Sequence, residues 1–169
     1  IKTSDYSKLR FEFTKMQYLA QQPGGLTDNQ FYLNTDTSLR SRNWFNVDWN
    51  LGAIHYDYEF NSTTKINSRT FGLVASRKAI GNMDKPFYQD FMQNRNIISG
   101  EFKNIGNETR FLHLYDINKN PSALLLGARV YRGFNRSIQG EGSDTNEPDF
   151  NFLGDVNDIV NSTGIISNY

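Results

Sequence analysis

The side chains best suited to chemistry are two histidines and three carboxylates within aromatic-rich stretches. His55 and His113 are the only histidines. A histidine can ligate a metal or act as a base near neutral pH, but neither has a second ligand at helical spacing. Asp48, Asp57 and Glu59 could supply the acid and base of a glycosidase. The polarity of one face of a strand explains all five residues with fewer assumptions, so we expect no catalytic site, no metal site and no enzymatic activity.

Composition excludes several other classes. The 169 residues include no cysteine, which removes disulfides, thiolate zinc sites and cysteine nucleophiles. Lys and Arg number 18 and so do Asp and Glu, so the basic surface of a nucleic-acid binder is not expected. No run of about 18 apolar residues could form a membrane helix. The opening IKTSDYSKLR lacks the apolar core of a signal peptide, so the start looks internal or processed.

The elements that hold these residues are predicted to be strands. Leu9, Phe11 and Phe13 alternate with Lys8, Arg10, Glu12 and Thr14, which is typical of a half-apolar strand running to about Leu19. The same period predicts further strands at Trp44–Phe60, Lys65–Ser76, Thr109–Ile117 and Ser122–Ile138. We therefore expect five strands of nine residues or more.

The stretch Trp44–Phe60 is much longer than the typical strand of about 5 to 6 residues in soluble proteins. Its apolar side chains lie on one face up to Leu51 and on the other from Ile54 onward. Either a bulge near Gly52 causes this change, or a continuous strand projects beyond a bilayer. We favour the second slightly, with Tyr56, Tyr58 and Phe60 as an aromatic girdle at one membrane interface.

The connections between these strands alternate in length. Polar stretches at 20–42, 77–106 and 139–155 predict long loops, whereas 61–64 and the turn after Ile117 are short. Outer-membrane barrels have short turns on the periplasmic side and long loops outside. The fold class predicted is thus all-β: an antiparallel transmembrane β-barrel segment with long extracellular loops.

Five such strands cannot close into a barrel, because membrane barrels need at least about 8 strands. We therefore expect residues 1–169 to be part of a single, incomplete barrel domain whose other pieces surround it. The final ISNY is not expected to belong to a C-terminal strand, since no alternating strand precedes it.

Longer runs of the sequence resemble a known family. They are QQPGGLTDNQFYLNTDTSLRSRNWFNVDWNL, NSRTFGLVASRKAIG, IISGEFKNIGNETRFLHLYDI, SALLLGARVYRG and SDTNEPDFNFL. These runs resemble the barrel of TonB-dependent outer-membrane receptors, and in particular the ferric-citrate-type receptors of Bacteroidota. The resemblance covers most of residues 7–155, and RNWFNVDWN and GEFKNIGNETR are its more specific parts.

The resemblance implies a much longer receptor in the bacterial outer membrane, with a plug inside a barrel of about 22 strands. Its implied partners are membrane lipid, the rest of the receptor, TonB and an iron chelate, with no nucleic acid. It implies no intrinsic cofactor, since the ferric chelate is cargo. This chain lacks the family's signal peptide, TonB box and plug, and the resemblance fixes no individual ligand-binding position.

Arginines are the candidate ligand-binding residues that this resemblance suggests. A ferric citrate complex is anionic and rich in oxygen, which suits guanidinium forks. Four candidates lie in the predicted long loops and three near the outer end of the last predicted strand; they are Arg40, Arg42, Arg77 and Arg95, then Arg129, Arg132 and Arg136. For each of them a solvated or lumen-lining charge is the simpler explanation.

Two alternatives stay open at this point. A soluble all-β binding module with aromatic ligand contacts, such as a carbohydrate binder, would also be rich in aromatic residues and strands. A hydrolase would need two of the strand carboxylates to converge within catalytic distance.

Overall fold

The computed structural model describes residues 1, 3–22, 24–82 and 86–168, and nearly all of its regular structure is strand. The strands in chain order are β1 (Ser7–Gln21), β2 (Trp44–Asn61), β3 (Thr64–Gly81), β4 (Arg95–Ile117), β5 (Asn120–Gly142) and β6 (Phe152–Asn168). A six-residue helix, α1 (Asp28–Leu33), and a 3-10 turn at Phe87–Gln89 lie in the loops. Among the described residues, no helix is long and apolar enough to cross a membrane.

The six strands form one antiparallel sheet in sequence order, β1-β2-β3-β4-β5-β6. Each strand pairs with the next along nearly its whole length, so the described chain is a single continuous meander. No second sheet packs on it within the described ranges. The predicted all-β antiparallel fold is confirmed, with six strands rather than five.

The alternation of connection lengths is also confirmed. Two residues join β2 to β3 and two join β4 to β5, whereas 22–43, 82–94 and 143–151 are long. Asn118 and Lys119 both have positive φ, at 51° and 69°, as a tight type I′ hairpin requires. All three long loops therefore lie at one end of the sheet and both short turns at the other.

Two of the sequence predictions about elements are wrong. Residues 77–106 are not one long excursion, because β3 continues to Gly81 and β4 begins at Arg95. A sixth strand also spans Phe152–Asn168, where only a loop and an unpaired end were expected. Both missed segments mix polar and apolar residues on each face, so the period-two signal is weak there, and pairing with a neighbouring strand determines their structure instead.

The sheet has two faces with different chemistry. We call the side that carries His55 the His55 face and the side that carries Ile54 the Ile54 face. One row of paired residues, which we call the Gly52 row, divides the sheet into a turn half, next to the short turns, and a loop half, next to the long loops. The row consists of Phe13, Gly52, Gly72, Ile105 and Arg132. Small His55-face residues such as Ala53 are buried, whereas Phe13 on the other face is 72% exposed.

The change of phase near Gly52 is not a bulge. Pairing of β2 with both neighbours is continuous through Gly52, and its irregularity lies at Glu59–Asn61. The apolar residues change sides instead: in the turn half they lie on the Ile54 face, and in the loop half they include Trp49 and Leu51 on the His55 face. The continuity of the strand, as in the favoured sequence interpretation, is confirmed, and its projection beyond a bilayer stays a prediction.

Local interactions shape the connections. Thr27 caps α1 by accepting from the Gln30 backbone N–H, while the Gln30 side chain accepts from the Thr27 backbone N–H at 2.9 Å. At the β2–β3 turn, the side chain of Asn61 accepts from the Thr63 backbone N–H at 3.0 Å. Pro23 of the predicted Pro-Gly-Gly loop, residues 83–85 and Tyr169 lie outside the described residues.

Candidate ligand and lumen face

A row of charged and polar side chains crosses five strands on the His55 face. Arg10, His55, Arg69, Glu108 and Arg129 are successive partners in this row. Period two places all of them on one side of the sheet. The turn half of the His55 face is therefore polar and charged.

His55 lies at the centre of a charged contact network. Its side chain is nearly buried, its Nδ1 lies 3.3 Å from the Arg10 guanidinium and its Nε2 lies 3.2 Å from Glu12 Oε2. Arg10 also lies 3.3 Å from Glu12 Oε1. The ring of His55 thus lies between a guanidinium and a carboxylate, both about half exposed.

Phe71 forms an aromatic platform beside this network. The guanidinium carbons of Arg69 and Arg129 lie 5.6 and 5.8 Å from its ring centroid, within the range of cation–π attraction. The ring lies over Gly106 of the neighbouring strand, where an added Cβ would come within 2.6 Å of it. A glycine is therefore required there for the platform to lie flat on the sheet.

The loop half of the same face is richer in aromatic residues. Arg77 lies 5.6 Å above the ring of Phe102, and Tyr18 and Phe45 approach with 6.1 Å between ring centroids. Arg77 is exposed and forms no ion pair with any described residue. It is therefore available to an anionic ligand that approaches from the long loops.

Two buried arginines join the three long loops, and we call them the arginine junction. Arg42 is 4% exposed; it pairs with Asp90 and donates to the carbonyls of Gln93 and Asp144. Arg95 is fully buried and donates at 2.8–3.2 Å to Arg42 O, Ser143 O, Ser143 Oγ, Thr145 Oγ1 and Glu147 O. The guanidinium groups of the junction thus donate to oxygen atoms of the protein itself.

Asp149 lies in the third long loop, close to this junction. The backbone N–H of Asn151 donates to its carboxylate, and this bond above all holds the pKa of Asp149 below its ordinary value of 3.8. Side-chain bonds from Ser143 and Asn151 and the charge of Arg95 act in the same direction, against a smaller effect of burial. Asp149 is therefore anionic wherever the loop is folded near neutral pH.

The seven predicted arginines do not converge on one site. Arg40 donates to Asn82 O at 2.6 Å and, like the junction, lies among the loops. Arg77 and Arg95 are strand residues, not loop residues as predicted. Arg77 and Arg129 lie on the His55 face, and Arg129 is in the turn half rather than near the outer strand end.

The last two predicted arginines lie on the Ile54 face, opposite Arg77. Arg132 belongs to the Gly52 row, and Arg136 forms a bidentate pair with Asp158 at 2.6 to 3.1 Å. A role for any of the seven in ligand binding stays a prediction. Sequence analysis did not select Arg10 or Arg69 as ligand-binding candidates, although each occupies a polar position in the alternation of its own strand.

The remaining chemical candidates are also paired. The carboxylate of Asp57 accepts a hydrogen bond from the side chain of Asn67, and that of Glu59 lies 2.8 Å from the Lys65 ammonium. Asp48 lies on the opposite face of the sheet, 3.5 Å from the Lys15 ammonium. His113 hydrogen-bonds Thr64 at 2.9 Å. Across the part of the chain that the structure describes, no group of three or more His, Asp or Glu side chains could hold a metal.

Comparison with known proteins gives a structural match but no sequence match. No protein-family model and no curated protein matches the chain. The crystal structure of the ferric citrate transporter FecA in the unliganded form superimposes with a TM-score of 0.78 and 14% sequence identity. The match covers 96% of this chain, which spans about a quarter, 24%, of that protein. At this identity the match shows the fold alone: a six-stranded segment of a β-barrel.

Proposed function

We propose that this chain forms part of the barrel wall of a TonB-dependent transporter in the bacterial outer membrane, with ferric chelates as its substrates. The match to a ferric citrate transporter supports the barrel and the substrate class. The proposed partners are outer-membrane lipid, the rest of the barrel with its plug, TonB and the iron chelate.

The absence of charge on one half-face is the observation that carries this proposal. Among the described strand residues, the turn half of the Ile54 face contains no Asp, Glu, Lys or Arg. Its apolar side chains are open to the exterior and include Phe11, Ile54, Leu124, Leu126 and Val130. The opposite side of the same strands carries the charged row of His55. An apolar outside and a polar inside are what a lipid-embedded barrel requires.

The dimensions of this half-face fit a bilayer. Its β2 part, 52–60, contains nine residues and its β4 part, 105–117, contains thirteen. About 9–11 tilted residues cross the hydrocarbon core. The ring of Tyr58 lies 6.3 Å from that of Tyr56 and 4.9 Å from that of Phe60, between centroids. This run of aromatic rings reaches the lower edge of the half-face, which suits an aromatic girdle at the membrane interface.

The orientation follows from the loops. Barrels of this class place short turns in the periplasm and long loops outside, so the loop half of the His55 face would line the external mouth. Arg77, above Phe102, is the arginine there that is exposed and unpaired with any described carboxylate. An oxygen-rich anion such as ferric citrate would gain charge-assisted hydrogen bonds from it.

Site-directed spin labelling of the intact transporter tests the topology. Residues 1–169 contain no cysteine, so once any cysteine elsewhere in the protein is replaced, single cysteines at Phe13 and Thr14 place nitroxides on opposite faces of β1. We expect the label at residue 13 to collide with dissolved oxygen, as lipid-exposed sites do. The label at residue 14 should collide more often with a water-soluble nickel chelate. Equal, water-like accessibility at both positions would exclude a lipid-facing sheet.

Iron uptake tests the substrate. The transporter is expressed in cells that lack their own ferric citrate receptor, and uptake of radioactive iron as ferric citrate is measured. We expect Arg77→Ala to reduce uptake at low substrate by roughly 10- to 150-fold, because loss of a charge-assisted contact costs about 1.5–3 kcal/mol. Lys119→Ala in the β4–β5 turn is the control. Uptake unaffected by Arg77→Ala would remove this residue from the site, and no uptake by the parent would reject ferric citrate.

A further inference from the structure

The charges of the Ile54 face are ordered by sign. Within the described strands, the turn half of this face has no charged side chain. The first charged residue towards the loop half is Arg132, in the Gly52 row, and the next row of that face contains Lys15 and Lys103. Acidic side chains, Asp48 and Glu101, begin one row further. The upper edge of the apolar surface is therefore marked by cations only, and we call these three residues the cationic edge.

Arg132 and Lys103 are diagonal neighbours within this edge. Arg132 pairs with Ile105 and Lys103 pairs with Phe134, on the adjacent strands β4 and β5. Diagonal cross-strand positions lie about 7–8 Å apart, within reach of two long side chains. Both residues are exposed, and neither forms a hydrogen bond or ion pair with a described residue. Lys15 differs, since it lies 3.5 Å from Asp48.

The surface below the two cations carries no charge and exposes aliphatic side chains, with Asn107 as a polar neighbour on β4 that bonds Ser68 and Thr70. Ile105 is 60% exposed and Val130 is 52% exposed, and both lie in or directly below the Gly52 row. Two unpaired cations above exposed aliphatic side chains complement a molecule with an anionic head and hydrocarbon tails. A small hydrophilic anion would use the cations but leave the aliphatic surface uncovered.

We propose that Arg132 and Lys103 bind the phosphate group of an anionic lipid in the outer leaflet, with its acyl chains along Ile105 and Val130. The inference rests on the proposed membrane orientation. Guanidinium and ammonium groups both bind phosphate, and cations close to an anionic membrane surface attract its headgroups. Arg136 is less suited because Asp158 already engages its guanidinium at 2.6 Å.

Lipid retention by the intact, purified transporter tests the site. Phosphatidylglycerol is titrated into the protein in non-ionic detergent, and bound lipid is counted by native mass spectrometry against phosphatidylcholine, which has no net charge. We expect Arg132→Gln with Lys103→Gln to weaken phosphatidylglycerol binding by roughly 10- to 30-fold, from the attraction expected of two basic groups. The charge-preserving pair Arg132→Lys with Lys103→Arg should retain most of the affinity.

A matched control removes the same charge elsewhere. Lys8→Gln with Lys65→Gln alters two lysines of the His55 face near the turns and should leave lipid binding unchanged. Inorganic phosphate at millimolar concentration should not displace the lipid, because it cannot use the aliphatic surface. Equal binding by the Gln pair and the parent, or displacement by free phosphate, would overturn the inference. The nitroxide at residue 13 in the same preparation separates this result from a failure of the barrel proposal.

Discussion

Single arginines in this protein have different roles that residue type alone does not reveal. Arg95 is completely buried and donates to backbone and side-chain oxygens of the third long loop, so its charge is used in structure. Arg77 lies exposed over an aromatic ring on the His55 face, and Arg132 lies exposed on the opposite face. The sequence indicates all three as possible anion ligands, but only their partners in the fold distinguish them.

Replacement of Arg95 by methionine should detach the third loop. Methionine keeps much of the apolar stem but leaves the carbonyls of Ser143, Glu147 and Arg42 without their donor, and each unsatisfied buried group costs about 1–3 kcal/mol. We expect protease cleavage within 143–151 of the intact protein to become at least about tenfold faster. The exposed Arg129→Met serves as control, and equal cleavage rates for both variants would show that Arg95 does not hold the loop.

At the scale of elements, the division of each strand into two halves determines how clearly its sequence predicts a strand. In β2 the strand was predictable because aromatic and aliphatic residues alternate strongly on both sides of Gly52. The first part of β4 belongs to the loop half, where Glu101, Lys103 and Asn104 occupy both faces, so no apolar phase marks it. Of the candidate site, the residue types were predictable, but their faces required the register.

The boundary between the halves should determine where a new charge is tolerated. Leu126→Arg places a charge at the middle of the charge-free part of β5, where a cation near the bilayer midplane costs about 2–4 kcal/mol. Val74→Arg places the same charge in the row that already contains Lys15 and Lys103, where the expected cost falls to about 0–1 kcal/mol. Both native side chains are exposed, so lost packing is similar.

Folding of the intact protein into lipid vesicles, followed by urea titration, measures this difference. We expect the Leu126→Arg variant to be the less stable of the two by roughly 2 kcal/mol. Equal losses for the two variants would mean that the Gly52 row does not mark the membrane boundary.

At the scale of the whole molecule, the described sheet has two open edges. Apart from two backbone hydrogen bonds between Ile1 and Leu9 at the outer edge of β1, β1 pairs only with β2 and β6 only with β5, and no pairing joins β1 to β6. An open edge presents a row of free N–H and C=O groups that pairs readily with another strand. The exposed apolar surface of the Ile54 face adds a second reason for association, because large apolar patches on a soluble protein bind other surfaces.

These two features predict the behaviour of the 169-residue chain expressed by itself. In plain buffer we expect it to form large assemblies, since both the edges and the apolar half-face remain uncovered. In detergent the apolar surface is covered while the edges stay free, so smaller oligomers should form. Light scattering coupled to size exclusion measures both states, with circular dichroism to confirm strand content. A folded monomer in plain buffer would contradict a lipid-facing sheet and favour the soluble binding module instead, because such a sheet would have to bury its apolar face without lipid.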